Sequence, residues 1–436
     1  EIGRYCFASC ENLTEIRLPS TAVHIADSVF VHCKKLQIVK LPPTLNYIPD
    51  SCFLGCSELT DIQIPPSVDW IGEYAFHWTA VQQAQANQLQ YMGDVLSGGQ
   101  LPETQQGVLR VKDGTRCIAN RAFYENEELT ELILPASVET IGEEAFAHCK
   151  NLKRLHLAEG LKTIGLSAFA HCSALEAIYI PSSVRSICLG AFASCASLKQ
   201  IVVDANNPRY DSRNNCNAIL HTELKMLVAA CPTTVILDVL EIIGDNAFQG
   251  VYPFQELVLP HNVKCIGRSA FGDNPSLQRV VIPESTELIG SYAFSHCTAL
   301  SDIILPHKYI EISEDAFSGT ACVDSQSPGA AYVGNHLCCY TPYTEDGTEP
   351  DCVIPEGIEY IDAGVFHFAP PMRIFFPKSL KGVDICAFIP NESDHELITP
   401  DGMGNDYPVK NGRIVYQNDM NDYWWDILNI EWNEEE

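Results

Sequence analysis

The apolar positions of this chain follow a repeat of 23 residues. Phenylalanine marks the period, since Phe123, Phe146, Phe169 and Phe192 are each 23 residues apart. Around each Phe the chain approximates the pattern Ile-Gly-x-x-Ala-Phe-x-x-Cys-x-x-Leu-x-x-Ile-x-Leu-Pro. A fixed period of this length predicts repeated windings of the backbone, each of them one structural unit. The Phe residues of the series, which we predict to form one buried ladder, are Phe7, Phe30, Phe53, Phe76, Phe123, Phe146, Phe169, Phe192, Phe248, Phe271, Phe294, Phe317, Phe366 and Phe388.

Each repeat contains two segments with different apolar spacing. Leu155 and Leu157 alternate with a polar residue, which predicts a short strand with one buried face. A proline follows this strand in most repeats and marks its end, because proline cannot donate to a strand ladder. Ala145 and Cys149 are four residues apart, which predicts one helical or 3₁₀ turn. The glycine at the start of that segment, as in Gly142, predicts a tight turn with an unusual backbone angle.

These units predict an α/β solenoid. A single coil cannot bury its apolar corner, whereas coils stacked at the strand spacing share one continuous core. We therefore expect residues 1–390 to form a right-handed superhelix of 23-residue coils, with a parallel β-sheet along its concave side.

Three inserts interrupt the period, at about 77–114, 204–234 and 320–352. The first and third inserts share Tyr-x-Gly followed by an acidic or amide residue, and we predict that they are related. The second insert is predicted to form two strands, at 218–220 and 226–228. Residues 391–436 lose the Phe period, are acidic and contain Tyr423, Trp424, Trp425 and Trp432. They are predicted to cap the last coil, with an aromatic platform for sugar stacking as the alternative.

The repeat resembles the BspA-type leucine-rich repeat. The resemblance rests on two features, the Asn-Asn-Pro-x-Tyr sequence at 206–210 and the motif Ile-Gly-x-x-Ala-Phe-x-x-Cys-x-x-Leu-x-x-Ile-x-Ile-Pro-x-Ser-Val. The likeness covers roughly residues 1–390. It implies a bacterial surface or secreted protein that binds host or microbial proteins. It implies no catalytic residue and no cofactor.

Composition narrows the set of partners. The formal net charge is −29, which argues against nucleic acid and against an anionic membrane surface, because both require clustered Lys and Arg. No run of about 20 apolar residues predicts a transmembrane segment. No signal peptide is visible, but the first residues already lie inside a repeat, so we expect the natural start to be missing.

Nineteen cysteines and several His-Cys pairs raise the question of a metal site. Cysteine lies three residues after seven of the fourteen Phe positions, but Thr79, Val251 and Asn274 occupy the same place in other repeats. A metal site would not accept those residues, so we interpret this position as a small buried one and predict no metal. We expect His to point outward and Cys inward, and the thiols to be free, although disulfides between neighbouring coils are an alternative. Cys338 and Cys339 are predicted to be the exposed pair.

No catalytic motif is present among the usual constellations, so we predict no enzyme activity. The concave strand face is the expected binding surface, and its central outward position lies ten residues after each Phe. At the start of the chain this position is polar, at Arg17, Lys40 and Gln63. Strand propensity of β-branched residues is the alternative explanation for the apolar character of the later positions. The predicted binding residues are Ile133, His156, Tyr179, Val202, Val258, Val281, Ile304 and Phe375.

The sequence thus predicts a non-enzymatic protein-binding scaffold at the cell surface or secreted. A carbohydrate-binding surface protein and an intracellular structural array, which the free thiols favour, are the alternatives. Self-association through exposed strand edges is a further expectation.

Overall fold

A computed structural model describes residues 1–22, 24–68, 70–85, 88–101, 106–326, 329–341, 352–366, 369, 372–384 and 386–388. Three more strands are described by their backbone alone, at Glu396–Ile398, Val409–Lys410 and Arg413–Ile414. The chain divides into two compact units, Glu1–Ile219 (unit 1) and Leu220–Glu436 (unit 2). Within each unit, successive coils stack through parallel strands, which confirms the predicted solenoid.

The predicted strand of each coil is present, and we call these strands the first sheet. They pair in parallel with a register of one repeat, as between Glu131 and Arg154. The first-sheet strands of unit 1 are Glu15–Arg17, Ile38–Lys40, Asp61–Gln63, Val108–Arg110, Glu131–Ile133, Arg154–His156, Ala177–Ile180 and Gln200–Val203. Those of unit 2 are Glu256–Val258, Arg279–Val281, Asp302–Ile304, Cys352–Val353, Arg373–Phe375 and Glu396–Ile398.

A second strand, which the sequence analysis does not predict, precedes the segment around Phe in most coils. We call these strands the second sheet. In unit 1 they are Tyr47–Ile48, Trp70–Ile71, Cys117–Ile118, Thr140–Ile141, Thr163–Ile164 and Ser186–Ile187. In unit 2 they are Ile242–Ile243, Cys265–Ile266, Leu288–Ile289, Glu311–Ile312, Tyr360–Ile361 and Gly382–Val383. Most of them have only two residues, which is too short for an alternating pattern to be recognised. Met226–Ala229 of the second insert pairs with Ile242–Ile243, and the sequence analysis does predict this strand.

The predicted helical turn is wrong. The segment around each Phe is a chain of tight turns in which every fourth residue is left-handed, as at Glu144 (φ 49°) and His148 (φ 60°). Alternate N–H groups of this segment donate to carbonyls of the next coil, and we call this arrangement the turn ladder. In one coil the pairs are Glu144 with Leu166, Phe146 with Ala168 and His148 with Ala170, each at 2.8 Å. Each regular coil is therefore bonded to its neighbour on three sides.

The repeat glycine has a different role from the predicted one. A Cβ atom on Gly142 would lie 2.7 Å from the backbone nitrogen of Asn120, and one on Gly165 would lie 2.6 Å from the carbonyl carbon of Gly142. Neither glycine has a positive φ. Glycine is therefore required by the close approach of the neighbouring coil and not by an unusual backbone angle.

The Phe side chains fill the interior of each stack. Neighbouring rings lie nearly parallel, with centroids 5.0–5.5 Å apart. Phe7 and Phe388 are half-buried. The other twelve are at most 4 % exposed, and they are Phe30, Phe53, Phe76, Phe123, Phe146, Phe169, Phe192, Phe248, Phe271, Phe294, Phe317 and Phe366. This row of rings, with the Leu and Ile residues of both sheets, forms the core.

The first insert adds a short helix and a hairpin to unit 1. The helix is Ala80–Gln83, and the Gln85 side chain bonds both backbone groups of Tyr91. The hairpin pairs Leu89–Met92 with Val95–Gly99, and its second strand joins the second sheet beside the next coil. The insert therefore continues the second sheet through a hairpin in place of a regular coil.

The third insert repeats this arrangement in unit 2. A helix at Ala321–Asp324 precedes Gln326, whose side chain bonds both backbone groups of Tyr332. The hairpin pairs Gly329–Val333 with His336–Thr341 and also joins the second sheet. The two inserts are thus structurally related, as the sequence predicts.

The second insert contains strands at Tyr210–Asp211 and Ile219–His221 and a 3₁₀ turn at Arg213–Asn215. The Tyr210 side chain is fully buried, and its hydroxyl accepts from the Ile187 backbone N–H at 3.0 Å. Tyr423, Trp424, Trp425 and Trp432 lie outside the described residues. The predicted role of residues 391–436 as a cap stays a prediction.

Candidate binding surface

The first sheet sorts its side chains by alternation. In Ala177–Ile180, the side chains of Ile178 and Ile180 are buried in the core, while Ala177 and Tyr179 face outward. This alternation follows from the pleat, since successive residues of a strand point to opposite faces. The outward position is the one predicted to bind.

In unit 1 the predicted binding residues form a row. Ile133 pairs in register with His156, and Tyr179 with Val202. His156 and Tyr179 are exposed, Tyr179 by 46 %, whereas Ile133 and Val202 are half-buried. The row therefore presents two rings between two smaller aliphatic side chains.

Polar contacts fix the two rings of this row. Glu131 bonds the Arg154 guanidinium at 2.6 Å and the His156 Nε2 atom at 2.9 Å, and the bond from Arg154 lowers the pKa of the Glu131 carboxyl. The Tyr179 hydroxyl donates to Asp204, which raises the pKa of Tyr179. Since both rings are held by neighbours on the same face, their positions are set before any partner arrives.

The polar start of the row lies along a groove in unit 1. Arg17, Lys40 and Gln63 follow one another in register and are exposed. The groove has a volume of about 540 Å³ and is also lined by Leu41 and Pro42. Neither Arg17 nor Lys40 forms an ion pair with any residue that the structure describes.

The row in unit 2 is apolar. Val258, Val281 and Ile304 pair in register, and Val258 and Ile304 are 61 % and 39 % exposed. Phe375 is half-buried and pairs with Val353, which is 66 % exposed.

A charged row runs beside the apolar row of unit 2. Arg279 contacts Glu256 at 3.1 Å and also contacts Asp302. These charges are two residues before the apolar positions and so face the same side of the sheet.

Sequence reasoning missed some exposed apolar residues of unit 2. Val353 belongs to a coil whose Phe spacing is disturbed by the third insert, so counting ten residues from a Phe does not find it. Phe254 is 52 % exposed and lies just before the strand Glu256–Val258. A search for apolar residues at the ends of the predicted strands would have identified Phe254.

The repeated cysteine has a structural contact. Its thiol donates to the carbonyl of the Phe in the preceding coil, as from Cys149 to Phe123 at 3.1 Å. Asn274 makes the same bond to Phe248 with its side-chain amide. Where Cys or Asn occupies this position, its donor satisfies a Phe carbonyl that would otherwise be buried without a partner. The buried Val251 shows that the position also accepts a side chain without a donor. Burial raises the pKa to about 12 for the thiols of Cys56, Cys149, Cys195 and Cys297.

The histidines of the His-Cys pairs occupy the left-handed positions of the turn ladder. His148 and His171 lie on neighbouring coils, and their rings stack with centroids 4.4 Å apart. Cys149 and Cys172 are buried on the opposite side of the backbone. The four side chains therefore do not converge on one point.

One buried polar cluster lies in the third insert. Asp362 bonds the Nδ1 atom of His336 at 2.7 Å and accepts from the Cys338 thiol at 3.0 Å. His336 is fully buried, and burial raises the pKa of Cys338 well above its ordinary value. Cys338 and Cys339 are half-buried, so the prediction that they are the exposed pair is wrong; the exposed thiols are Cys6 and Cys386.

Stacked coils with two parallel sheets, a turn ladder and a shared core define a repeat scaffold. The chain belongs to the BspA-type leucine-rich repeat family. The family model, described as "BspA type Leucine rich repeat region", matches in six copies over residues 1–95, 111–223 and 230–332.

Several solved structures are similar to this chain. A leucine-rich repeat protein from Eubacterium ventriosum is 19 % identical with a TM-score of 0.43, over 69 % of this chain and 86 % of that one. The pneumococcal vaccine antigen PcpA is 17 % identical with a TM-score of 0.43, over 89 % and 79 %. A leucine-rich cell surface protein from Faecalibacterium prausnitzii is 21 % identical with a TM-score of 0.37, over 91 % and 89 %. No curated protein matches the sequence.

The described part of the chain contains no helix with the length and hydropathy needed to cross a bilayer.

Proposed function

We propose that this chain is a non-enzymatic protein-binding scaffold of a bacterial cell-surface or secreted protein, and that it mediates adhesion or another contact with a host or microbial protein. The binding surface is the outward face of the first sheet. The observation that carries this proposal is the exposure of apolar side chains on that face in each unit, with Tyr179 at 46 % in unit 1 and Val258 at 61 % and Ile304 at 39 % in unit 2.

Two features support binding over strand propensity alone. Strand propensity favours both Val258 and Tyr179. It does not account for the hydrogen bond from Tyr179 to Asp204, which holds an exposed ring in place. Tyrosine is also enriched among the residues that dominate binding energy at interfaces, because it buries a large area at low entropic cost. Aligned apolar side chains beside ordered charges match the composition of an interface core with a polar rim.

The test uses substitutions that keep strand propensity and remove apolar area. Tyr179→Thr with Val202→Thr alters unit 1, and Val258→Thr with Val281→Thr alters unit 2. The wild type and both variants are applied to one array that carries extracellular proteins and glycans. We expect the variants to lose about tenfold or more in affinity for the protein ligand, which corresponds to about 1.4 kcal/mol.

The matched control replaces exposed valines that lie off the sheet. Val235 and Val239 are 57 % and 41 % exposed, so Val235→Thr with Val239→Thr removes similar area from unit 2. This control should bind as the wild type does. If all four face substitutions combined leave a folded protein with full affinity, the first-sheet face is not the binding surface. Binding confined to glycans would favour the carbohydrate-binding alternative.

Surface location has its own test. Intact cells that express the natural full-length protein should be labelled by an antibody against the repeats and should lose the label after external protease treatment. Label that appears only after the cells are opened would exclude a surface or secreted location and favour the intracellular array.

A further inference from the structure

A small cleft lies where the first insert separates two coils of unit 1. The flanking coils are bonded directly, since the Asn120 N–H donates to the Ile71 carbonyl at 3.1 Å. Both residues line a space of about 300 Å³, together with Gly98 and Gly99 of the hairpin. We call this space the insert cleft. Its volume is at the lower end of the range for small-molecule sites, which suits a single small ring.

Three hydrogen-bond donors of the insert cleft have no partner among the residues that the structure describes. One is the side-chain amide of Asn120, which is 9 % exposed; its oxygen accepts from the Glu143 N–H at 2.9 Å, and its Nδ2 atom is left over. The other two are the backbone N–H groups of Tyr74 and Phe76. In regular coils these N–H groups donate to the next coil, as that of Phe53 does at 2.8 Å. Because unpaired donors are rare in such places, a ligand with several acceptor atoms is expected here.

The charges beside the insert cleft are balanced within the chain. Arg121 contacts Glu73 at 3.1 Å and Glu144 at 3.4 Å, so one guanidinium faces two carboxylates. An incoming anion would be repelled by this excess of negative charge. An incoming cation would have to displace Arg121 from Glu73. The ligand that fits is therefore neutral.

Aromatic side chains of both coils line the insert cleft. Tyr74 is exposed, and its ring centre lies 5.5 Å from that of His77 in an edge-to-face contact. A hydrogen bond to Glu73 raises the pKa of Tyr74 and ties its hydroxyl to the charge pair. On the other coil, the Arg121 guanidinium lies 4.0 Å from the centre of the Tyr124 ring. The rings thus offer apolar surface next to unpaired polar groups.

The third insert differs at the residues that leave this space open. Cys339 and Tyr340 stand where the first insert has Gly98 and Gly99, counted from the Tyr-x-Gly sequence of each hairpin. Tyr340 is buried, and its ring centre lies 5.7 Å from that of Phe366. Side chains therefore pack in the third insert where the first has two glycines.

We propose that the insert cleft binds one neutral sugar residue of a glycan. Oxygen atoms of the sugar accept from the N–H groups of Tyr74 and Phe76 and from the Nδ2 atom of Asn120, while a C–H face of the sugar ring packs against the Tyr74 side chain. A sugar residue combines several acceptor oxygens with an apolar face and carries no charge, which are the three properties that the insert cleft selects. This site lies apart from the first-sheet face and does not depend on the function proposed for that face.

The experiment uses the full chain and five soluble probes. Four are neutral, the methyl glycosides of glucose, galactose, mannose and N-acetylglucosamine, and the fifth is the methyl glycoside of glucuronic acid. By ligand-observed NMR titration, we expect at least one neutral probe to bind with a Kd of about 10 mM or below, and the glucuronic acid probe to bind at least about tenfold more weakly. At saturation the neutral probe should slow amide hydrogen exchange at Tyr74 and Phe76 by about fivefold or more and leave Phe53 unchanged.

Two matched variants locate the site. Tyr5 and Tyr74 occupy the same repeat position, are 54 % and 55 % exposed and both have a positive φ. Ser28 and Ser51 hold this position in other coils with a positive φ, so serine keeps the backbone conformation. Tyr74→Ser should lower the affinity for the best neutral probe by about fivefold or more, whereas Tyr5→Ser should leave it unchanged.

Four results would each overturn the proposal. The first is no binding of any neutral probe at about 50 mM. The second is binding of the glucuronic acid probe that equals or exceeds that of every neutral probe, because the ligand would then not be selected for neutrality. The third is an equal affinity of the Tyr5→Ser and Tyr74→Ser variants. The fourth is amide exchange at Phe76 that is already as slow as at Phe53 in the free protein, since this donor would then be bonded within the chain.

Discussion

At the residue scale, the repeated cysteine shows how one position can accept unlike side chains. Cys149 and Asn274 bond the Phe carbonyl of the preceding coil, whereas Thr79 and Thr320 bond the Phe carbonyl of their own coil. Val251 occupies the same position without any donor, so the shared property is a small side chain at a mostly buried place. Metal affinity is not needed to explain the pattern.

The first prediction concerns the reactivity of these thiols. Because only the thiolate is nucleophilic, a buried thiol with a raised pKa should not react until the coil opens. We expect iodoacetamide to label Cys6 in the native protein and to leave Cys149, Cys172 and Cys195 unlabelled until urea unfolds unit 1. Peptide mass spectrometry measures the labelling at each site. Equal native labelling of Cys6 and Cys172 would contradict the burial of this position.

A second residue-scale prediction concerns pH and Glu311. Burial, and then repulsion from Asp384, raise the pKa of Glu311 to about 7. The unfolded chain releases this proton near its ordinary value while the folded chain retains it, so the free energy of unfolding should fall as pH rises from about 4.5 to 7. Glu311→Gln removes the ionisable group and therefore this loss of stability. It should stabilise the protein by about 1–2 kcal/mol at pH 8, after allowance for solvent at a half-buried side chain.

Glu241→Gln is the control for this pH effect, because the pKa of Glu241 is shifted in the opposite direction. The bonds from Lys225 and Lys264 lower the pKa of Glu241, so its contribution is present at neutral pH and lost on acidification. Glu241→Gln should therefore destabilise unit 2 at pH 8. Urea unfolding of both variants and the wild type between pH 4.5 and 8 gives the comparison. A Glu311→Gln variant with the pH dependence of the wild type would disprove the role of Glu311.

At the element scale, close contact between coils explains the glycine that lies four residues before Phe in seven of the fourteen repeats. The same position in the other repeats is occupied by Ala26, Pro49, Ala119, Cys188, Ser313, Asp362 and Asp384. At Gly165 the segment before Phe lies so close to the preceding coil that a Cβ atom would meet backbone atoms of Gly142 and Glu143. Backbone contact cannot relax as a flexible side chain can, so the coil spacing itself would have to change.

The element-scale prediction compares two glycines at the same repeat position. Gly165→Ala places a Cβ atom 2.6 Å from a backbone carbon and should destabilise unit 1 by about 1–3 kcal/mol. Gly3 has no atom within 4 Å of its Cβ position, so Gly3→Ala should change stability by no more than about 0.5 kcal/mol. Urea unfolding measures both. Equal losses of stability in the two variants would show that the local backbone conformation, and not contact with the neighbouring coil, is the reason for glycine at this position.

The sequence predicts the coil and its core because the Phe period and the alternation around Leu155 are long-range patterns. It fails for elements defined by contacts between coils. Thr140–Ile141 is a strand only because Thr163–Ile164 lies beside it, and two residues carry no recognisable period. Likewise, Ala145 and Cys149 have the spacing of a helical turn, but left-handed residues at Glu144 and His148 convert that spacing into a ladder. The exposed residue Val353 was missed because it is not in phase with a Phe.

At the scale of the whole molecule, charge is the dominant property. A net charge of −29 creates self-repulsion that opposes compaction, and ions screen it over about 10 Å at 0.1 M. The fold should therefore gain stability as the salt concentration increases.

The prediction at this scale is a rise in melting temperature with added NaCl, between about 0.02 and 0.3 M. Sucrose at matched osmolality is the control for preferential exclusion, which stabilises proteins without screening. Scanning calorimetry or circular dichroism measures the shift. A melting temperature that falls with NaCl would contradict net self-repulsion.

The one-repeat register of both sheets and of the turn ladder has a genetic consequence. Residues 140, 163 and 186 occupy one column of the second sheet, so every bond that a coil makes to the coil before it can be made by any regular coil. Excision of a 23-residue block such as 163–185 would join equivalent positions and restore every ladder. Loss of 22 residues would instead leave both sheets and the turn ladder out of register at the junction. Unequal recombination within the gene can therefore lengthen or shorten the array in whole coils, and the reach of the protein can evolve faster than its architecture.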